Sequence, residues 1–299
     1  MVVGLVGCGN WGRHILRDLV SLGCEVPVVA RSPESQTRAR EGAAAAIVES
    51  VASLPPLDGA VVATSTTTHA AVIDELLALG IPVFCEKPLT NDPTEANRLA
   101  SLAPDALFVM DKWRYHPGVA ELAAIARERR LGPVAGLVTR RIGWGSIHDD
   151  VDAVWVLAPH DLSVALEIFD ALGRPEAAAA HWLGTGAEHL EALLRGDGWW
   201  HVLEVSARSS ERRRLIALHC DDGVAMLSDG WDQHVMIARE GRDGVEEVRI
   251  DAPGELPLLA ELRVFVEHLG GGPPPRSSAA EGAATVATIA ELRALAGGE

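Results

Sequence analysis

The first third of the chain alternates short apolar runs with amphipathic stretches. Val2 to Val6 is apolar and is followed by Gly7-Cys8-Gly9-Asn10-Trp11-Gly12. Over residues 13–22, Ile15, Leu16, Leu19, Val20 and Leu22 share one side, while Arg13, Arg17 and Asp18 share the other. That spacing predicts a helix. Gly23 stands where a helix-terminating glycine belongs, and Val26 to Ala30 reads as a second strand. Gly59 to Ala63 and Ile81 to Cys85 are further buried strands, separated by a helix from about Ala70 to Leu79. Strands alternating with helices predict an α/β unit built on a parallel sheet.

In this setting the glycines acquire chemistry. They follow a strand and open a helix, the context in which G-x-G-x-x-G binds a dinucleotide. Gly7 permits the tight turn, Gly9 lets backbone approach a pyrophosphate, and Gly12 lets helix and strand pack closely. Asn10 and Trp11 lie in the same loop. The plain alternative is a glycine-rich turn with no ligand. The second strand ends in Ala30-Arg31-Ser32, where NAD enzymes usually carry an acidic residue for the ribose hydroxyls. Arg31 and Ser32 suit a 2′-phosphate, so NADP(H) is preferred and NAD(H) stays open.

Ligands of an open parallel sheet lie beyond the carboxyl ends of its strands. Thr64-Ser65-Thr66-Thr67-Thr68-His69 and Glu86-Lys87-Pro88 both fall there. Thr64, Thr66, His69, Glu86 and Lys87 are therefore candidate cofactor contacts, although hydroxyl residues also cap helices. A lysine beside a cationic ring is expected to have its proton affinity lowered, which suits exchange with a substrate hydroxyl. An ion pair with Glu86 is the alternative for Lys87.

Beyond Gly173 the pattern changes to short strands and turns. Ala177 to Leu183, Trp200 to Arg208, Arg213 to His219, Val224 to Leu227, Val235 to Arg239 and Val245 to Ile250 read as strands of a mostly antiparallel sheet. Helices follow at about Glu255 to Leu269 and Ala279 to Leu295. The fold class expected is an α/β Rossmann domain, residues 1–112, followed by an α+β substrate-binding and oligomerisation domain with a large, mostly antiparallel open sheet, residues 113–299, with packing of the last helix back towards the first domain left open.

Composition narrows the partners. The 299 residues carry 26 basic and 42 acidic side chains, a net charge of −16. That balance argues against nucleic acid. No apolar run reaches the ~18 residues of a membrane helix, and the N-terminus does not read as a secretory signal. Cys8, Cys24, Cys85 and Cys220 are scattered, as expected of reduced thiols in a cytoplasmic protein. Of the basic residues 24 are Arg and two are Lys, Lys87 and Lys112. His148-Asp149-Asp150-x-Asp152 lacks a partner cluster with metal-ligand spacing, so no metal is expected.

Glu86-Lys87-Pro88, with the opening glycines, resembles the Gfo/Idh/MocA oxidoreductase family, which includes glucose–fructose oxidoreductase and inositol dehydrogenase. Thr64 to His69, Arg114-Tyr115-His116-Pro117, Leu131-Gly132-Pro133-Val134, Ala158-Pro159-His160-Asp161 and Ser277 to Gly282 extend the resemblance in order along the chain. Gly9 to Arg13 and Trp155 to Asp161 look like the branch that acts on nucleotide-linked sugars. The resemblance implies hydride transfer between a nicotinamide and a hydroxyl or keto carbon of a sugar, nucleotide-sugar or polyol. It implies Lys87 and His160 as catalytic residues. Arg114, Tyr115, His160 and Asp161 are expected to contact a carbohydrate-like substrate. Pairing through the second-domain sheet is implied, as a homodimer or homotetramer.

Two readings temper this. The family often has Asp four residues before its histidine, where this chain has Val156. Asp161, Asp149, Asp150 and Asp152 are the candidates to replace it. A cofactor-binding sensor or subunit without turnover is one alternative, and an imine or biliverdin-like reductase is another. His160 is also expected at a helix start, where the positive dipole end disfavours its protonation.

Overall fold

The computed structural model describes residues 1–145 and 150–298. The candidates His148 and Asp149 therefore lie outside the described residues. Contacts divide the chain into two units, residues 1–112 with 258–286 and residues 113–257 with 287–299. Residues 258–286, assigned to the second domain by sequence, thus group with the first.

In the first unit the elements run β1 (Val3–Val6), α1 (Gly12–Ser21), β2 (Pro27–Val29), α2 (Pro33–Glu41), β3 (Ala46–Val48), β4 (Gly59–Val62), α3 (His69–Leu77), β5 (Val83–Glu86), α4 (Pro93–Leu102) and β6 (Leu107–Met110). The six strands are all parallel, in the order β3-β2-β1-β4-β5-β6. The order reverses between β1 and β4, the switch point where such sheets bind ligands. β1, β4, β5 and β6 are buried along their whole length, because helices cover both faces of a parallel sheet.

The second unit contains α5 (Pro117–Glu128), β7 (Val134–Trp144), α6 (Ala153–Phe169), β8 (Arg174–Leu183), β9 (Gly186–Arg195), β10 (Trp200–Ser206), β11 (Arg208–Cys220), β12 (Gly223–Leu227), β13 (His234–Gly241) and β14 (Gly244–Asp251). Its eight-stranded sheet has the order β14-β13-β12-β11-β7-β10-β9-β8, with β7 and β10 parallel and the other neighbours antiparallel. Leu137, Leu190, Leu194, Leu203, Val205 and Leu218 are buried on one face, which packs with α5 and α6.

The final elements are α7 (Pro257–Leu269) and α8 (Ala279–Leu295). α7 belongs to the core of the first unit, where Phe265 stacks on Phe84 at 4.9 Å between ring centroids. No helix of the described residues is long and apolar enough to cross a membrane.

Candidate active site

The glycine-rich turn has the geometry its sequence predicts. Gly7 has φ +97°, and a Cβ there would lie 2.6 Å from the Ala63 carbonyl oxygen. A Cβ on Gly12 would lie 2.3 Å from the Gly7 carbonyl oxygen. Neither position has room for a side chain. Gly9 is different, since a Cβ there would meet nothing within 4 Å. The backbone at Gly9 faces open space at the start of α1, and the Trp11 side chain makes no capping bond to that helix. Exposed backbone N–H groups at a helix start fit a dinucleotide pyrophosphate.

Trp11 turns towards the end of β5. Its Nε1 donates to Glu86 Oε1, and Glu86 Oε2 accepts from the Lys87 backbone N at 3.1 Å. Glu86 is only 8% exposed. Burial pushes its carboxyl above the usual range, while Lys87, Lys112 and the Trp11 bond pull it back. The Lys112 ammonium lies 4.1 Å from the centroid of the Trp11 ring. From α7, Glu261 is buried, and its Oε2 has no partner among the described residues. Burial, then the negative charge of Glu86, holds Glu261 well above the normal carboxyl range. Glu261 carries no sequence signal, because it sits in an amphipathic helix far along the chain.

The hydroxyl run is largely self-organised. Thr68 Oγ1 lies 2.8 Å from the Ser65 carbonyl and 2.9 Å from Thr64 Oγ1. Thr66 is buried. His69 is also buried, with Nδ1 donating to the Pro88 carbonyl at 2.9 Å and Nε2 3.2 Å from the Thr64 carbonyl. His69 therefore ties the loop after β4 to the segment after β5. At the end of β2, Arg31 is exposed and its Nε donates to the Glu49 carbonyl at 3.1 Å. Ser32 caps α2, accepting from the Ser35 N at 3.1 Å.

Within the second unit, His160 does not begin a helix. α6 starts at Ala153, where Asp152 accepts from the Val154 and Trp155 N–H groups at 3.1 and 3.3 Å. Pro159 lies inside the helix, and His160 follows one residue later at mid-helix. The dipole argument for His160 fails for that reason, since the effect is confined to the first turn. Asp152 also accepts from the Ala187 N at 2.8 Å and pairs with Arg293. It is thereby committed to structure rather than acid chemistry. Val156 is buried on α6, one turn before His160.

The His160 ring meets Trp113 edge-on, 6.4 Å between centroids. The other face of this cluster was not legible in sequence. The Arg141 guanidinium lies 4.2 Å from the Trp113 ring centroid and donates twice to Asp161, at 2.9 and 3.2 Å. Arg141 and Asp161 are both buried. Asp161 therefore holds Arg141. Arg114 is buried as well and pairs with Glu167 at 3.2 Å. Tyr115 closes the 3₁₀ turn Lys112–Tyr115.

Among the described residues, His189, Glu191 and Glu204 place ligand-type atoms within 4.8 Å of one another. Glu191 and Glu204 oppose each other across β9 and β10, and Glu204 is bonded to Arg140.

A parallel sheet in this strand order, with a glycine-shaped turn at its switch point, is the architecture of a dinucleotide-binding Rossmann fold. Residues 1–108 match the family described as "Oxidoreductase family, NAD-binding Rossmann fold". These residues are similar to the Gfo/Idh/MocA family over the first third of the chain. The chain is 35% identical over 141 residues to the myo-inositol dehydrogenase Hyg17 of Streptomyces leeuwenhoekii, covering 45% of this chain and 43% of that protein. The chain spans about half the length of the first curated relatives it matches, 43% and 56%.

Solved structures extend the likeness to the whole fold. The UDP-N-acetylglucosamine 3-dehydrogenase GnnA from Acidithiobacillus ferrooxidans superposes with a TM-score of 0.85 at 23% identity, covering 99% of this chain and 97% of that one. A 3-ketoreductase from Actinomadura kijaniata, in complex with TDP-benzene and NADP, superposes with a TM-score of 0.84 at 18% identity, covering 98% and 97%. At these identities the likeness is one of fold.

Proposed function

We propose that the protein is an NAD(P)-dependent oxidoreductase acting on a hydroxyl or keto carbon of a sugar, nucleotide-sugar or polyol. The observation that carries this reading is the placement of Lys87. It directly follows the carboxyl end of β5, and its backbone N–H is held by Glu86, the carboxylate that also engages Trp11 of the glycine-rich loop. When bound, the dinucleotide supplies or accepts a hydride at its nicotinamide ring. Lys87 holds or releases at Nζ the proton that the substrate oxygen exchanges. Asn10, Trp11 and the Gly7, Gly9 and Gly12 backbone line the dinucleotide end, with Thr64 beside them.

In the second unit, His160, Tyr115 and Arg114 are the candidates for contact with the substrate, His160 by hydrogen-bonding a substrate oxygen. Asp161 serves this side through Arg141, whose guanidinium it orients. Arg31 favours NADP(H), because its charge suits a 2′-phosphate. Four free cysteines, three of them buried, support a cytoplasmic setting. The eight-stranded sheet leaves Trp144 73% exposed and Val202 39% exposed, which supports assembly into a homodimer or homotetramer.

The test is a turnover screen with NADP(H) and NAD(H) over polyols, sugars and nucleotide-sugars. Oxidation or reduction of at least one panel member supports the reading. Dinucleotide binding with no turnover across the panel supports the sensor alternative, which Val156 motivates.

A further inference from the structure

The chain uses Arg for 24 of its 26 basic residues, and both of its lysines act on the same carboxylates. Lys87 and Lys112 each pull down the Glu86 and Glu261 carboxyls. Lys87 has a place in the reaction proposed above. Lys112 has none, since it opens the short turn after β6 and bears no motif.

Its surroundings give it one. Trp11 is the residue at the boundary between the glycine-rich loop and α1, and its side chain does not cap the helix. Its indole is held at two points. The ring nitrogen is bonded to Glu86, and the Lys112 ammonium lies 4.1 Å from the ring centroid. His14, one turn along α1, packs on the same indole at 5.7 Å between ring centroids. The contacts thus come from three places in the sheet architecture: the end of β5, the turn after β6 and the first turn of α1. All converge on the loop that carries Gly9, whose open side is where a pyrophosphate fits. A loop held before the ligand arrives loses less entropy on binding.

We propose that Lys112 is a positioning residue of the dinucleotide site: its ammonium on Trp11, acting with Glu86 at the indole nitrogen, fixes the glycine-rich loop in its binding conformation. The inference rests on the dinucleotide-binding reading of that loop. A cation on a partly buried indole is worth roughly a three- to thirtyfold change in a coupled equilibrium.

The experiment titrates the full chain with NADH and with NADPH, followed by nicotinamide fluorescence. It compares wild type with Lys112→Met, Lys112→Arg, Trp11→Leu and the Lys112→Met/Trp11→Leu double variant, with the unfolding midpoint of each recorded. Lys112→Met is expected to weaken binding about tenfold, and Lys112→Arg to stay within about threefold of wild type, since it keeps the cation on the ring. The double variant is expected to bind no worse than Trp11→Leu alone, because both changes remove the same cation–ring contact.

Unchanged binding in Lys112→Met overturns the proposal. So do losses that multiply in the double variant. A loss in Lys112→Met that Lys112→Arg does not restore, with lowered midpoints in both, shows general damage and overturns it too. Wild type that binds neither dinucleotide overturns the site reading itself, and the inference with it.

Discussion

Arg141 grips Asp161 through two hydrogen bonds, 2.9 and 3.2 Å long, with both residues buried in the second unit. The carboxylate comes from mid-α6 and the guanidinium from β7, so the pair pins the helix that carries His160 to the sheet. Removing one partner leaves the other charge buried. Asp161→Asn is expected to cost about 3 kcal/mol of stability, read as a lower urea midpoint. A midpoint equal to wild type would show that the pair contributes nothing.

A second prediction concerns acid. His201 lies on β10, fully buried, with Thr139 Oγ1 2.8 Å from its Nε2 and no partner for Nδ1 among the described residues. Burial pushes its pKa down to about 3. The unfolded chain binds this proton near pH 6.5 and the folded chain does not. The stability linked to His201 is therefore complete above pH 6.5 and is lost as pH falls towards 3, by at most ~1.4 kcal/mol per pH unit. Urea midpoints measured between pH 7 and 4 should fall with pH, and should fall less steeply in His201→Gln. Equal slopes would remove His201 as the source.

The proposed preference for NADP(H) is tested at the end of β2. Arg31 is exposed, and Ser32 is already engaged as the cap of α2. Under the proposed NADP(H) preference, the 2′-phosphate contact would fall chiefly to the rest of the Arg31 guanidinium, whose Nε donates to the Glu49 carbonyl. Arg31→Ala should weaken NADPH binding roughly tenfold, the worth of one charge-assisted hydrogen bond, and leave NADH within about twofold. A variant that keeps its preference for NADP(H) removes the basis for this assignment.

The Rossmann half was legible because its signals are local. Glycines next to an apolar run, and Glu-Lys-Pro at a strand end, act through nearby backbone. The second half was less so. β9, Gly186-Ala-Glu-His-Leu-Glu-Ala-Leu-Leu-Arg195, is rich in helix-forming residues and shows no strand signal. Its pairing with β8 and β10 overrides that preference and buries Ala187, Leu190 and Leu194. The same pairing assembles His189, Glu191 and Glu204 from separate strands, which no linear spacing could reveal.

His160 was misplaced for a related reason. Pro159 reads as a helix start, yet Asp152 caps α6 seven residues earlier and the helix runs through the proline. Lys112 and Glu261 escaped because their partners come from distant segments. Arg141 and Trp113, the stacked pair beside His160, share no motif either.

The central claim is that Lys87 moves a proton during hydride transfer. The most direct measurement compares wild type and Lys87→Ala for kcat on a substrate identified in the turnover screen and for dinucleotide Kd. The account predicts a fall in kcat of about a hundred- to ten-thousandfold, the usual worth of a general acid–base group, with Kd within about threefold. Turnover by Lys87→Ala at the wild-type rate would contradict it.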